Sequence, residues 1–151
     1  MKFLAYVDLH NLYYSLHPKK LDYKKLVDYI NGFGSGVIRA YGHQLGNEAT
    51  TFIEVLTQLG VVPVYRKPTV CKDDKGVKYR SNWAVGLTLD VVGSVDEAEI
   101  FFLVTDSGDF DLLVGWLQKR GKTVFVIGNN PSRALRTTAD HTHIIPGSMM
   151  L

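Results

Sequence analysis

The apolar positions of this 151-residue chain fall into two kinds of segment that alternate along the sequence. Short, nearly continuous apolar runs are typical of strands that are buried on both faces. They predict strands at residues 3–8, 36–43, 61–67, 99–105 and 123–128. Longer stretches, with apolar residues at helical spacing, predict helices at 21–31, 47–60, 82–95 and 111–121. Residues 132–146, "SRALRTTADHTHIIP", predict a short helix followed by a short strand or tail.

Strands that alternate with helices indicate an α/β fold. With right-handed crossovers, this becomes a three-layer sandwich of the Rossmann-like type, in which helices cover both faces of a central, mostly parallel sheet. Pro63 suggests an edge position for the strand at 61–67. No repeat, low-complexity tract or linker interrupts the sequence, so we expect one domain over residues 1–151. Ligands of such sheets bind beyond the carboxyl ends of the strands, where the strand order reverses.

Aspartates stand at the predicted ends of two of these strands. Asp8 ends the first strand, and Asp106 and Asp109 follow the strand that is predicted within "FFLVTDSGDFDLLV". If the two strands are neighbours, the three carboxylates lie at one edge of the sheet, and Asp90 of the preceding helix could face them. Like charges this close repel one another unless a cation lies among them, and such a site suits Mg²⁺ or Mn²⁺. Each aspartate taken alone is also explained as a helix N-cap.

Positive charge is concentrated in residues 66–80, "RKPTVCKDDKGVKYR", where six basic residues stand against two aspartates. The chain as a whole has a net charge of only +2. Two interpretations remain open for this segment. It is either a solvated surface loop or an arm that follows a nucleic-acid backbone. In the second case Lys67, Lys78 and Arg80 would contact phosphates and Trp83 would offer a stacking surface.

Other features exclude several classes of protein. No run of about 18 apolar residues is present, so we expect no membrane span. The first apolar run is interrupted by Asp8 and does not have the form of a secretion signal. Cys71 is the single cysteine, which fits a reducing compartment, and we expect the cytoplasm. His141 and His143 are interpreted as a pair on a strand edge and not as zinc ligands, because no further ligand has suitable spacing.

Several short motifs follow one another in an order that resembles a known family. They are "YVDLHNL", "NWAVGLTLD" and "VTDSGDFDLL" followed by "GKTVFVIG". Over nearly its whole length the chain resembles the NYN domain family of the PIN-like nucleases. The resemblance implies a three-layer α/β fold with a central parallel sheet, an acidic metal-binding pocket and, in many members, endoribonuclease activity. It implies that Asp8, Asn11, Asp106 and Asp109 are pocket residues and that Asp90 is a further acid from the central helix.

Two departures from the family pattern affect the expected site. In relatives, the central helix usually carries an acid one and a half turns before the position of Asp90, and here that position is Ala84. The family turn commonly spaces its two aspartates two residues apart, whereas Asp106 and Asp109 are three apart. Ser107 therefore stands where one ligand is expected. Both departures bear on activity more than on fold.

The sequence thus predicts a metal-dependent endoribonuclease that acts on single-stranded or looped RNA. Asp8, Asp106 and Asp109 would hold Mg²⁺ or Mn²⁺, and Asn11 would position water or phosphate. The alternative is a catalytically weakened module that binds RNA or has a regulatory role. A receiver-like phosphoacceptor domain would need an acidic pair at the first strand tip, where Leu9 follows instead. RNA is the expected partner, and a homodimer stays open because the sequence fixes no oligomeric state.

Overall fold

A computed structural model describes residues 1–43, 47–67, 69–80 and 82–151, without the side chains at 47–49, 69, 71 and 78–80. The strands in the described residues are β1 (Lys2–Asp8), β2 (Ser35–His43), β3 (Val62–Arg66), β4 (Thr69–Asp73), β5 (Gly76–Arg80), β6 (Ile100–Val104), β7 (Thr123–Gly128) and β8 (His141–Ile144). The α-helices are α1 (Leu9–Leu16), α2 (Tyr23–Asn31), α3 (Asn47–Gln58), α4 (Ala84–Gly93), α5 (Asp111–Lys119) and α6 (Arg133–Thr138). None of the helices in these described ranges combines the length and the apolar character that crossing a bilayer requires.

Six strands form one parallel sheet in the order β3-β2-β1-β6-β7-β8. The α/β fold with a parallel central sheet is therefore confirmed, and Pro63 lies on an edge strand as predicted. Strands β1, β2 and β3 follow one another towards one side of the sheet, and β6, β7 and β8 follow one another towards the other side. The strand order therefore reverses between β1 and β6. Val7 pairs with Val104 there, which brings the two strand tips side by side. A crevice at the carboxyl edge of a sheet is expected at this point.

The sheet separates two hydrophobic cores. Helices α1, α2 and α3 cover one face, where Ile30 and Leu56 are fully buried. Helices α4, α5 and α6 cover the other face, where Val91 and Leu117 are fully buried. Every residue of β6, Ile100–Val104, is buried, and alternate side chains enter opposite cores. The continuous apolar run of this strand follows from its burial on both faces.

The apolar pattern did not predict a helix directly after the first strand. Leu9, Leu12 and Leu16 recur at helical spacing in α1 and are buried against the sheet. The helix begins at the strand tip because the Asp8 side chain accepts a hydrogen bond from the Asn11 N–H (3.4 Å), as an N-cap residue does. Asp8 therefore ends β1 and caps α1.

The basic segment contains a two-stranded antiparallel hairpin of β4 and β5, which corrects its interpretation as a loop. Cys71 pairs with Lys78 in its register. At the turn, the Asp73 side chain accepts a hydrogen bond from the Lys75 N–H (2.8 Å). Gly76 has a φ of +122°, which a residue with a side chain rarely adopts. The hairpin connects β3 to α4, so it leaves the sheet at the edge that carries the crevice.

Candidate functional site

A pocket of about 320 Å³ opens at the carboxyl edge of the sheet, between the tip of β1, the segment after β6 and the beginning of α4. It is lined by Asp8, His10, Asn11, Tyr14, Asn82, Trp83, Ala84, Ser107, Asp109 and Phe110. The fold thus brings together Asp8, Asn11 and Asp109, which come from two distant segments of the chain. These three are among the residues that the sequence predicted for the site.

Asp8 is the buried acid of the pocket, with only 8% of its surface exposed. Its carboxylate accepts hydrogen bonds from the Thr105 hydroxyl (3.2 Å) and from the Asn11 N–H (3.4 Å). Burial raises the pKa of Asp8, and these hydrogen bonds together with the nearby His10 offset only part of the increase. A cation beside this carboxylate would therefore stabilise its charged form.

Asn11 connects the start of α1 to the turn after β6. Its side-chain Oδ1 accepts a hydrogen bond from the backbone N–H of Asp106 (2.9 Å). The amide oxygen thus holds the acidic turn against the tip of β1. The amide NH₂ group is the donor end of this side chain, so we expect it to carry the predicted role of positioning a water or phosphate.

Asp106 does not line the pocket. One of its carboxylate oxygens accepts a hydrogen bond from the Ser15 hydroxyl in α1, and the other accepts one from the Asn130 N–H (3.0 Å) after β7. The carboxylate also packs against Gly128, where a Cβ atom would lie only 2.2 Å from Oδ1. Asp106 therefore ties α1 to the end of β7, and glycine is required at position 128 to make room for it.

Asp90 also lies outside the pocket lining, on α4. Its carboxylate accepts a hydrogen bond from the Tyr41 hydroxyl (2.7 Å). Burial and this hydrogen bond both raise the pKa of Tyr41. The expectation that Asp90 faces the crevice is not met, because the pocket borders the first turn of α4, and Asp90 lies further along the helix beside Tyr41.

Asp8 and Asp109 are the two carboxylates among the lining residues. Asp109 is exposed, and its backbone N–H donates to the Ser107 hydroxyl (3.3 Å). Ser107 and Ala84 line the same pocket, at positions where the resemblance led us to expect acids. Within the described residues, no three His, Cys, Asp or Glu side chains are grouped so that they could hold a metal ion. The predicted cluster of Asp8, Asp106 and Asp109 is therefore not assembled as three ligands.

Trp83 forms one wall of the pocket in a fixed orientation. Its indole N–H donates to the carbonyl of Gly42 (2.9 Å). The guanidinium of Arg66 lies 4.2 Å from the ring centroid, which is a cation–π contact. The ring also packs against Gly86, where a Cβ atom would meet it at 2.7 Å. A positive charge and a rigid aromatic surface thus lie together at the rim.

The other predicted RNA-binding residues are described less fully. Lys67 is exposed just after β3, next to Arg66. Lys78 and Arg80 lie in β5, but their side chains are outside the described part of the structure, as is the side chain of Cys71. Contacts from these residues to RNA stay a prediction.

Helix N-termini meet at the pocket. Helix α1 begins at Leu9, helix α4 begins at Ala84, and the short 3₁₀ turn Gly108–Phe110 leads into α5. The N-terminus of a helix carries a partial positive charge and free N–H groups, which favour anions such as phosphate. His10 adds little charge at neutral pH because burial lowers its pKa, although Asp8 works in the opposite direction. The pocket therefore combines acidic side chains with backbone groups that attract anions.

Sequence reasoning missed Tyr14, Asn82 and Phe110 as lining residues. Tyr14 lies one helical turn after His10, so a helical reading of "LHNLYYSL" would have placed both on the same face of α1. Asn82 accepts a hydrogen bond from the Ala84 N–H (2.7 Å) through its side chain, which is a turn signal before a helix.

The comparisons with known proteins bear on the family and the fold of the chain. A family model described as "NYN domain" matches residues 2–146. No curated protein matches the chain. Among solved structures, the chain is similar to a protein of unknown function from Vibrio parahaemolyticus, with a TM-score of 0.87 and 28% sequence identity. That alignment covers 99% of this chain and 96% of the other.

Proposed function

This chain belongs to the NYN domain family of PIN-like nucleases, and from that premise we propose that residues 1–151 form one metal-dependent endoribonuclease domain. It hydrolyses phosphodiester bonds of single-stranded or looped RNA. One observation carries the proposal: Asp8 and Asp109, separated by a hundred residues of sequence, line the same pocket at the point where the strand order reverses.

The donor set of the pocket fits a cation that binds together with its substrate. Mg²⁺ is commonly held by one or two carboxylates plus phosphate oxygens of the substrate, and it keeps several waters. Asp8 and Asp109 supply two carboxylates, and Ser107 adds a hydroxyl oxygen nearby. These residues would hold Mg²⁺ or Mn²⁺ once an RNA phosphate completes the site. The bound cation would supply an activated water and charge stabilisation at the phosphate.

The remaining parts of the site would bind and orient the RNA. The N-termini of α1 and α4 favour a phosphate in the pocket. Arg66 on Trp83 offers a cation at the rim, and the basic segment extends from there. Lys67, Lys78 and Arg80 would follow the RNA backbone as a source of sequence-independent affinity.

The test is cleavage of end-labelled RNA hairpins that carry a single-stranded tail. We expect cleavage with Mn²⁺ and none with EDTA. Asp8→Asn should reduce the rate at least about 100-fold, as loss of a charge-stabilising group in a site typically does. Ala84→Asp should raise the rate and the apparent cation affinity, because a third carboxylate then faces the pocket. Asp96→Asn removes an exposed acid that does not line the pocket and serves as the control. Cleavage that persists both in EDTA and in Asp8→Asn would exclude this mechanism.

A second function, RNA binding without cleavage, is favoured by a specific observation. Ala84 and Ser107 line the pocket where acids are expected, so a cation meets two carboxylates and not four. The same assay separates the two functions. Salt-dependent RNA binding without cleavage, both in the natural chain and in Ala84→Asp, would identify a binding or regulatory module.

A further inference from the structure

We propose that a row of aromatic rings beside the pocket stacks unpaired nucleobases and thereby selects single-stranded segments. The inference rests on the proposed function in one respect, namely that the ligand of the pocket is RNA. The row, called the aromatic row below, consists of Tyr13, Tyr14, His10, His43 and Trp83.

The rings follow one another without a gap. The ring centroids are 5.3 Å apart for Tyr13 and Tyr14, and 4.7 Å apart for Tyr14 and His10. They are 6.0 Å apart for His10 and His43, and again for His43 and Trp83. The row therefore runs from the outer face of α1, past the end of β2, to the start of α4. His10, Tyr14 and Trp83 also line the pocket, so the row and the pocket form one surface.

The outer face of α1 is unusual because it is aromatic where a surface helix normally carries charges. Helix α1, "LHNLYYSL", contains no Lys, Arg, Asp or Glu. Tyr13 and Tyr14 are 60% and 66% exposed, while Leu12 on the opposite face is fully buried. Exposed aromatic surface next to a polar pocket is typical of a binding site.

The end of the row at α4 is rigid and positively charged. Trp83 is held by its hydrogen bond to Gly42 and by its packing against Gly86, and Arg66 covers the ring. A base that reaches this end meets the guanidinium plane of Arg66, and such planes stack bases. Aromatic rings combined with cations along a groove are the recurring means of binding single strands without sequence preference.

The row distinguishes unpaired from paired RNA because an aromatic ring can stack only on a base face that is free. In a duplex both faces of each base are covered by neighbouring pairs, so the Tyr13 and Tyr14 rings have nothing to stack on. In a single strand or a loop the base faces are free. The phosphate beside a stacked base can then enter the pocket, where Asp8 and Asp109 lie.

Binding is measured by fluorescence anisotropy with EDTA present, so that no cleavage interferes. The probes are a fluorescein-labelled 12-nucleotide uridine-rich single strand and a duplex of equal length. We expect the double variant Tyr13→Leu/Tyr14→Leu to weaken single-strand binding on the order of 10- to 100-fold. The conservative variant Tyr13→Phe/Tyr14→Phe keeps both rings and should recover most of the affinity that the leucine double variant loses. Ile144→Ala removes an exposed apolar side chain from the edge strand β8 and should have no effect.

Several results would overturn the inference. They are unchanged single-strand affinity in the double variant, equally tight binding of duplex and single strand, and no binding of either RNA by the natural chain. Light scattering could show that the natural chain is a homodimer and that the double variant is a monomer with unchanged RNA affinity. That result would assign the row to self-association instead. The cleavage assay is run separately. Loss of binding in the double variant without any cleavage by the natural chain supports the row while rejecting the nuclease.

Discussion

The position of Asp106 in the sequence suggests a metal ligand, whereas the hydrogen bonds of its carboxylate indicate a different role. It follows a strand tip next to Asp8, as a metal ligand would, yet it accepts hydrogen bonds from Ser15 and from Asn130. Asp8 is the last residue of β1 and faces the pocket. The partners of Asp106 lie far away in the sequence, so the direction of its side chain could not be read from the spacing of the aspartates.

From these two hydrogen bonds we predict that Asp106 contributes mainly to the stability of the fold. We expect Asp106→Ala to lower the free energy of unfolding by about 2 kcal/mol, because the Ser15 hydroxyl and the Asn130 N–H lose their acceptor. Asp106→Asn keeps one acceptor oxygen and should cost less. The measurement is urea unfolding, together with RNA affinity in EDTA, which should not change. Unchanged stability combined with a loss of cation-dependent cleavage would return Asp106 to the role of a metal ligand.

At the scale of secondary structure, the sequence predicted the elements that build the sheet. The buried strands β6 and β7 are continuous apolar runs, and the alternation of strands and helices was sufficient to predict the parallel sheet. Helix α1 was missed because it is only eight residues long, and its three apolar positions (Leu9, Leu12 and Leu16) directly follow the strand tip at Asp8. The hairpin was missed because charges hide its two-residue period, although "DDKG" in its turn is a hairpin signal.

The hairpin and the residue before it give a prediction about charge. We expect the triple variant Lys67→Ala/Lys78→Ala/Arg80→Ala to weaken RNA binding and to reduce the slope of log K against log salt by about 2, since each contact to a single strand contributes about 0.7. The measurement is RNA affinity between about 50 and 200 mM salt. Lys119→Ala is the control, because Lys119 ends α5 at the opposite edge of the sheet. An unchanged slope would mean that the basic segment is only a solvated surface.

At the scale of the whole molecule, the site depends on the topology of the sheet. Strands β1 to β3 come from the first half of the chain and β6 to β8 from the second, and the pocket lies where the two halves meet. The aspartates at the ends of two predicted strands led us to expect this meeting point if those strands were neighbours, and β1 and β6 are neighbours in the sheet. The number of carboxylates that reach it was not predictable, because it depends on which way each side chain turns once the halves have joined.

The same topology predicts how ligands stabilise the protein. Because the pocket offers two carboxylates, Asp8 and Asp109, Mn²⁺ alone should bind weakly and shift the melting temperature by less than about 1 °C. Uridine 5′-monophosphate supplies a phosphate and a base, and it has no phosphodiester bond between nucleotides that could be cleaved. Together with Mn²⁺ it should raise the melting temperature by about 3 °C, which corresponds to roughly 1 kcal/mol for a chain of this size. In Asp8→Asn, Mn²⁺ and uridine 5′-monophosphate together should no longer raise the melting temperature. In Ala84→Asp, Mn²⁺ should raise it without the nucleotide. A full shift from Mn²⁺ alone in the natural chain would mean that the cation site is complete without a phosphate.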